Sequence, residues 1–247
     1  MHIGLQLQAL WYTAIRLVGP ITITDWYGIT MRVYPYEQTP IKKLITRENY
    51  HHEFEMYRKY AHGIVLDIGA NIGIHSVYLA RLAEKVYAFE PVSDTYKRLE
   101  ETVRINHTSN VYPILSAVGN TNTTTTMQIF ERGYSSWNSL GAPDSSKKPI
   151  TTETVPMVTL DTWVEREHIT DIGFMKIDVE GYELGVLEGA TKLLSEHRVK
   201  ALSFEVTRMQ NKNPEPIFKL LHSYGYILEA YDPTLPHHNY YAVAPTV

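Results

Sequence analysis

Five short apolar runs, at 64–68, 86–89, 111–115, 172–177 and 201–206, are separated by stretches that mostly carry helical patterns, at 74–82, 93–106 and 183–196. Strands that alternate with helices are joined by crossovers, which predicts a parallel sheet covered on both faces. The expected fold is therefore α/β: a doubly wound, Rossmann-like sheet, mostly parallel. The tail, over 224–230 and 240–244, reads as a terminal antiparallel strand pair. In the helix after Gly181, residues Leu184, Leu187, Thr191 and Leu194 recur at near-helical spacing, as an inward stripe should.

The first 62 residues have a different texture. Runs at 21–24 and 29–34 flank Asp25-Trp26-Tyr27-Gly28 and read as a hairpin turning near Gly28, followed by a helix over 48–60 that stops at His62-Gly63. Residues 1–17 are apolar but interrupted by Gln6, Gln8 and Arg16. They lack the pattern of a secretory signal and are short for a bilayer, which takes about 20 residues. They are expected to dock as an amphipathic helix. Residues 1–62 thus read as a cap of helix, hairpin and helix packed on a main domain of 63–247.

Composition narrows the function. A net charge of −4 without a block of basic residues argues against a nucleic-acid partner. The absence of cysteine removes disulfides, thiolate nucleophiles and thiolate metal sites, which is compatible with a cytoplasmic location. One stretch, 121–156, breaks the alternation. It is rich in Thr, Ser, Asn and Gly, has strand patterns at 125–130 and 154–158, and holds Ser136, Trp137 and Asn138 between them. A loop of that length in a compact domain is more often functional than idle, and these three residues are expected on the substrate side.

The sharpest local signal runs from Val65 to Ser76, VLDIGANIGIHS, a buried strand entering a glycine turn and then a helix. Glycines allow close backbone approach to a ligand, and a helix start offers unpaired N–H groups. The spacing Gly69-x-x-x-Gly73 is not the G-x-G-x-x-G that packs a pyrophosphate. Asp67 would repel a pyrophosphate but can receive an ammonium. The next strand ends in Phe89-Glu90-Pro91, where a carboxylate accepts hydrogen bonds from both ribose hydroxyls. Ser116 and Ala117 follow the third strand, where an adenine would lie. The fourth strand yields Lys176-Ile177-Asp178-Val179-Glu180-Gly181, in which Lys176, Asp178 and Glu180 share one side of an extended chain. Lys176 reads equally as an ion-pair partner. Strand five adds Glu205.

Together these residues resemble the FkbM family of methyltransferases, over about residues 64–207 and including Leu160-Asp161. LDIGANIG followed by FEP is common to many class I methyltransferases, whereas MKIDVEGYE at this distance is far more specific. The resemblance implies S-adenosylmethionine as cofactor, with Asp67, Gly69, Ala70, Asn71 and Gly73 around its methionine part. It further implies Glu90 and Pro91 at the ribose, Ser116 and Ala117 at the adenine edge, and Asp178 also in contact with the cofactor. Asp178, Glu180 and Glu205 would face the reaction centre, Glu180 on the acceptor. The implied activity is O-methylation of a hydroxyl on a sugar, glycan or natural product.

In such a reaction the chain must orient an acceptor oxygen and help remove its proton. Asp178 is the first choice of base, Glu205 the second and His75 the third, although a packing or capping histidine reads as well at that position. Asp178, Glu180 and Glu205 offer hard oxygen ligands for Mg²⁺, yet no ligand spacing supports a metal, and none is expected to be required. The alternatives are a non-catalytic domain that binds S-adenosylmethionine or a partner, and a nucleic-acid methyltransferase. The latter would favour a basic face or a different fourth-strand motif. The expected partner is a small-molecule or glycan acceptor, with no nucleic acid and no membrane span, and a homo-oligomer is compatible.

Overall fold

Apolar runs without a polar face need cover on both sides, and the chain supplies it with helices above and below one sheet. The computed structural model describes residues 19–34, 51–130, 149–207, 213–230 and 237–245. The helix expected over 1–17 and the loop carrying Ser136, Trp137 and Asn138 lie outside the described residues.

A hairpin of β1 (Ile21–Thr24) and β2 (Thr30–Val33) precedes α1 (His51–Tyr60). Its turn is pinned by Asp25, whose Oδ1 accepts the N–H groups of Tyr27 and Ile29, each at 2.9 Å. Then come β3 (Ile64–Ile68), α2 (Ile74–Leu79), β4 (Lys85–Phe89), α3 (Ser93–Ile105) and β5 (Val111–Ile114). A short strand β6 (Ala117–Val118) pairs in parallel with β8 (Thr151–Val158), which pairs antiparallel with β7 (Thr123–Ile129). The chain continues through α4 (Leu160–Arg166), β9 (Ile172–Ile177), α5 (Glu183–Glu188), α6 (Thr191–Ser195), β10 (Val199–Thr207), α7 (Glu215–Ser223), β11 (Ile227–Ala230) and β12 (His237–Val243).

The seven-stranded sheet has the order β11-β12-β10-β9-β3-β4-β5. Every pair from β10 to β5 is parallel, and β12 runs antiparallel between β10 and β11. The chain leaves β3 to one side for β4 and β5, then returns to its other side with β9. That reversal opens a crevice at the carboxyl ends of β3 and β9, where open α/β sheets hold ligands.

Side-chain alternation sorts the core into two layers. Leu66, Ile68, Met175, Ile177, Leu202 and Phe204 pack beneath α4–α7, while Val65, Val86, Ala88, Phe174 and Ala201 pack beneath the hairpin, α1, α2 and α3. The strand positions between the second set, Asp67 and Lys176, therefore face α1 and α2.

Two expectations over 183–196 are corrected. The single helix is two, α5 and α6, broken at Gly189-Ala190, because Gly189 lies against the Gly119 carbonyl where a Cβ would come within 2.0 Å. The inward stripe is Val186, Leu187, Ala190, Leu193 and Leu194; Thr191 is exposed. The new start at α6 is capped from a distance: Asp161 accepts the N–H groups of Lys192 at 2.9 Å and Leu193 at 3.0 Å. Asp161→Ala is expected to cost about 1 kcal/mol, as loss of an N-cap acceptor does, measured as a lower urea midpoint.

Candidate active site

At the crevice the turn after β3 is held from two sides. The N–H groups of Gly69 and Ala70 both donate to the Phe89 carbonyl, at 3.0 and 2.9 Å, and the Asp178 N–H donates to the Ile68 carbonyl at 2.9 Å. Gly69 has φ +81°, and a Cβ on it would lie 1.9 Å from the Asp178 carbonyl oxygen. Asn71 is also left-handed, at φ +50°, and Gly73 at φ +88° starts α2. The glycine turn and the end of β9 therefore touch through backbone alone.

Glu90 is buried just beyond β4. Its carboxylate accepts the Asn71 N–H at one oxygen and the Val92 N–H at the other, each at 3.0 Å. Burial pushes its carboxyl up to about 7, against the pull of those two donors. An ionised carboxylate has about four acceptor sites, so two remain for hydroxyl donors of a ligand. The residues here fit a ribose, with Pro91 immediately beyond. Ser116 and Ala117 are buried, and the Ser116 hydroxyl donates to the Ala117 and Pro156 carbonyls at 2.8 and 3.2 Å.

Asp67 lies deepest in this group. It is fully buried, its Oδ2 accepts the Ser76 hydroxyl at 2.6 Å, and its Oδ1 lies 3.6 Å from Lys176 Nζ. Asp67 and Lys176 are cross-strand partners in the β3–β9 register. The ammonium that stands beside Asp67 is thus the protein's own. Lys176 also donates to Asp178 Oδ2 at 3.1 Å. Burial would lower the lysine, but the charges of Asp178 and Asp67 hold it above its ordinary value.

Asp178 keeps about a third of its side chain exposed. Burial would raise it, yet the Lys176 charge and the hydrogen bonds from Glu205 and Lys176 hold its carboxyl well below the usual carboxylate range. Glu205 is thus tied to Asp178 by a hydrogen bond. Glu180 departs from the extended line expected for 176–180. At φ +54°, followed by Gly181 at φ +106°, it turns the chain so that the Gly181 N–H can reach Glu183 Oε1 at 2.8 Å. Among the described residues, no group of three or more His, Asp or Glu side chains is arranged to hold a metal ion.

His75, on the first turn of α2, meets residues that the motifs did not single out. Its Nδ1 lies 3.0 Å from Tyr57 Oη and 3.7 Å from Glu53 Oε2, both on α1. Tyr57 is buried, and burial followed by the Glu53 charge raises its phenol well above its ordinary value, so it stays protonated. The sequence placed a His-, Glu- and Tyr-rich helix here but carried no sign of which face it turns inward.

The structure thus brings Asp67, Gly69, Asn71, Glu90, His75, Asp178 and Glu205 to one crevice. A family model described as the methyltransferase FkbM domain matches residues 67–228. A hexuronic acid methyltransferase, AglP, of Haloferax volcanii is 27% identical over 162 residues, covering 64% of this chain and 61% of the relative. The chain therefore spans about three-fifths of the curated relative it matches. Among solved structures, methyltransferase FkbM from Methylobacillus flagellatus KT aligns with a TM-score of 0.51 at 19% identity, over 72% of this chain and 42% of that one. SMU.1697c from Streptococcus mutans, in complex with SAH, aligns with a TM-score of 0.51 at 13% identity, over 78% and 96% of the two chains. At these identities the likeness is one of fold. Among the described residues no helix is long and apolar enough to cross a membrane.

Proposed function

The chain belongs to the FkbM methyltransferase domain family, and from that premise we propose that it transfers a methyl group from S-adenosylmethionine to an oxygen of a sugar, glycan or natural product. The observation that carries this reading is the meeting of the Gly69–Gly73 turn with the Glu90 carboxylate beyond β4, next to the switch point between β3 and β9. A bound S-adenosylmethionine would supply a methyl already activated on a sulfonium. The chain's own residues then have to bind, orient and exclude water. Orientation can contribute roughly 7–11 kcal/mol in the best intramolecular models. In this reading Glu90 holds the ribose hydroxyls, and Ser116 and Ala117 line the adenine edge. Asp178, held well below the usual carboxylate range and about a third exposed, takes the ammonium, with Asp67 behind Lys176. Residues 1–62 cap a methyltransferase domain of 63–247. The AglP relative, by its name a hexuronic acid methyltransferase, supports a sugar acceptor.

Calorimetric titration with S-adenosylhomocysteine, with NAD as a control, tests the cofactor. Micromolar binding of the former alone is expected, and binding of NAD instead would overturn the reading. Glu90 adds a pH signature. Hydroxyl donors favour the ionised carboxylate, so affinity should rise as pH increases through its value of about 7. Affinity at pH 8 is expected to exceed that at pH 6 by about tenfold, the ratio of ionised fractions, and Glu90→Gln should flatten the dependence.

A further inference from the structure

Transfer to a hydroxyl leaves a proton to be taken up, and the two acids nearest the crevice are badly placed to take it. A general base works best with a pKa near the operating pH. Asp178 is held far below that by Lys176, and Glu205 is engaged in a hydrogen bond with Asp178. Among the described residues singled out at the crevice, His75 is the remaining candidate, and its surroundings are built. Tyr57 Oη and Glu53 Oε2 both lie on its Nδ1 side, at 3.0 and 3.7 Å, and the rings of Phe54 and Tyr57 stand edge-on to it at 5.8 and 5.9 Å. Its side chain is 15% exposed. Among the described residues, Glu53 and Tyr57 from α1 lie against the ring, and Asp178 from beyond β9 is close enough to interact with its charge.

We propose that His75 takes the acceptor's proton at Nε2, and that Glu53 and Tyr57 of α1, ahead of the region matched by the family model, position it. The inference rests on the methyltransferase reading above. A carboxylate beside Nδ1 favours the tautomer protonated there, which makes Nε2 the acceptor and stabilises the imidazolium that forms. Tyr57, kept neutral by burial, can accept from Nδ1–H and fixes the ring plane. The acceptor oxygen forms its bond to the methyl carbon as the carbon–sulfur bond breaks onto sulfur, and the hydroxyl proton passes to His75. Glu53 and Tyr57 touch the ring and not the reacting atoms, so they are positioning residues.

The test begins without any acceptor. Ring nitrogen NMR of the full-length protein, with His75→Gln used to assign the signal, should show His75 protonated at Nδ1. Glu53→Gln should move it toward the Nε2-protonated form. An Nε2-protonated ring in the wild type overturns the proposal. Transfer from S-adenosylmethionine to a panel of methyl hexopyranosides and methyl hexuronides supplies the second arm. His75→Gln should bind S-adenosylhomocysteine within about twofold of wild type, which shows that it is folded, and should lose roughly 10²–10⁴-fold in turnover, as removal of a general base does. Undiminished turnover of that variant, or transfer to a hexuronide carboxylate, which has no proton to lose, overturns the base role but leaves the methyltransferase reading intact. Failure of the wild type to bind S-adenosylhomocysteine would instead remove the reading on which both rest.

Discussion

Lys176→Met is expected to be among the most destabilising single substitutions in the chain. Lys176 is 6% exposed and stands between Asp67 Oδ1 at 3.6 Å and Asp178 Oδ2 at 3.1 Å. A buried lysine with its charges matched contributes little by comparison with an apolar residue of the same size, but here the replacement leaves both carboxylates behind. Breaking one side of a buried ion pair typically costs about 3–5 kcal/mol, and for a chain of this size that lowers the melting temperature by roughly 6–20 °C. The loss should depend on pH in a definite sense. In the wild type Asp178 is held below the ordinary carboxylate value, so its contribution is complete above about pH 4 and is lost as pH falls through the lower folded value. The deficit of the variant is therefore greatest near neutrality and shrinks in acid. Urea midpoints at pH 7 and at about pH 2.5, between the two values, measure it, and adding Asp67→Asn should return part of the neutral-pH loss. An equal deficit at both pH values would mean that packing of the lysine stem, and not its charge, is what the site needs.

Gly69→Ala carries the second large effect. A Cβ there meets the Asp178 carbonyl oxygen at 1.9 Å and its carbon at 2.8 Å, on a residue whose φ is +81°. Neither obstacle is a flexible side chain, so the turn after β3 and the end of β9 must separate. Left-handed backbone and overpacking together should cost roughly 2–5 kcal/mol. The same movement pulls Asn71 away from Glu90 and Asp178 from the crevice, so S-adenosylhomocysteine affinity should fall at least about tenfold, the loss expected of a single displaced hydrogen-bonded contact to a charged group. Gly73→Ala is the informative contrast. Its φ is similar, at +88°, but the Cβ would press on Leu99 Cδ1 at 2.6 Å, the end of a side chain that can rotate. A smaller loss is expected there, read by the same titration and by thermal unfolding.

These two residues also mark how far the sequence could be read. The parallel sheet was legible because 64–68 and 172–177 match β3 and β9 and because alternation with helices leaves few other architectures. The glycine turn and the place of Glu90 just beyond β4 were legible because backbone conformation and strand position are encoded in the local sequence. The pairing of Asp67 with Lys176 was not. It follows from the register of two strands more than a hundred residues apart, which no local pattern contains. The same limit hid the break at Gly189, which exists because Gly119 passes beside it, and the inward face of α1, which places Glu53 and Tyr57 against His75. Glu180 was misread for a different reason: alternation holds only while the chain stays extended, and the left-handed pair Glu180-Gly181 ends it.

The position of β12 has a consequence for how the molecule assembles during synthesis. Its seven residues pair with Ala201–Thr207 on one side, and Tyr240–Val243 pair with Ile227–Ala230 on the other, so it slots between two strands made before it. Until His237–Val243 has emerged, β10 presents a row of unpaired N–H and carbonyl groups beside Phe204 and Val206, the kind of open edge that recruits foreign strands. Completion of the sheet must therefore wait for the far end of this region, however early the glycine turn forms. A nascent chain stalled short of residue 237 should be a client for chaperones, and the same segment on its way out should mark the step at which the edge stops being sticky.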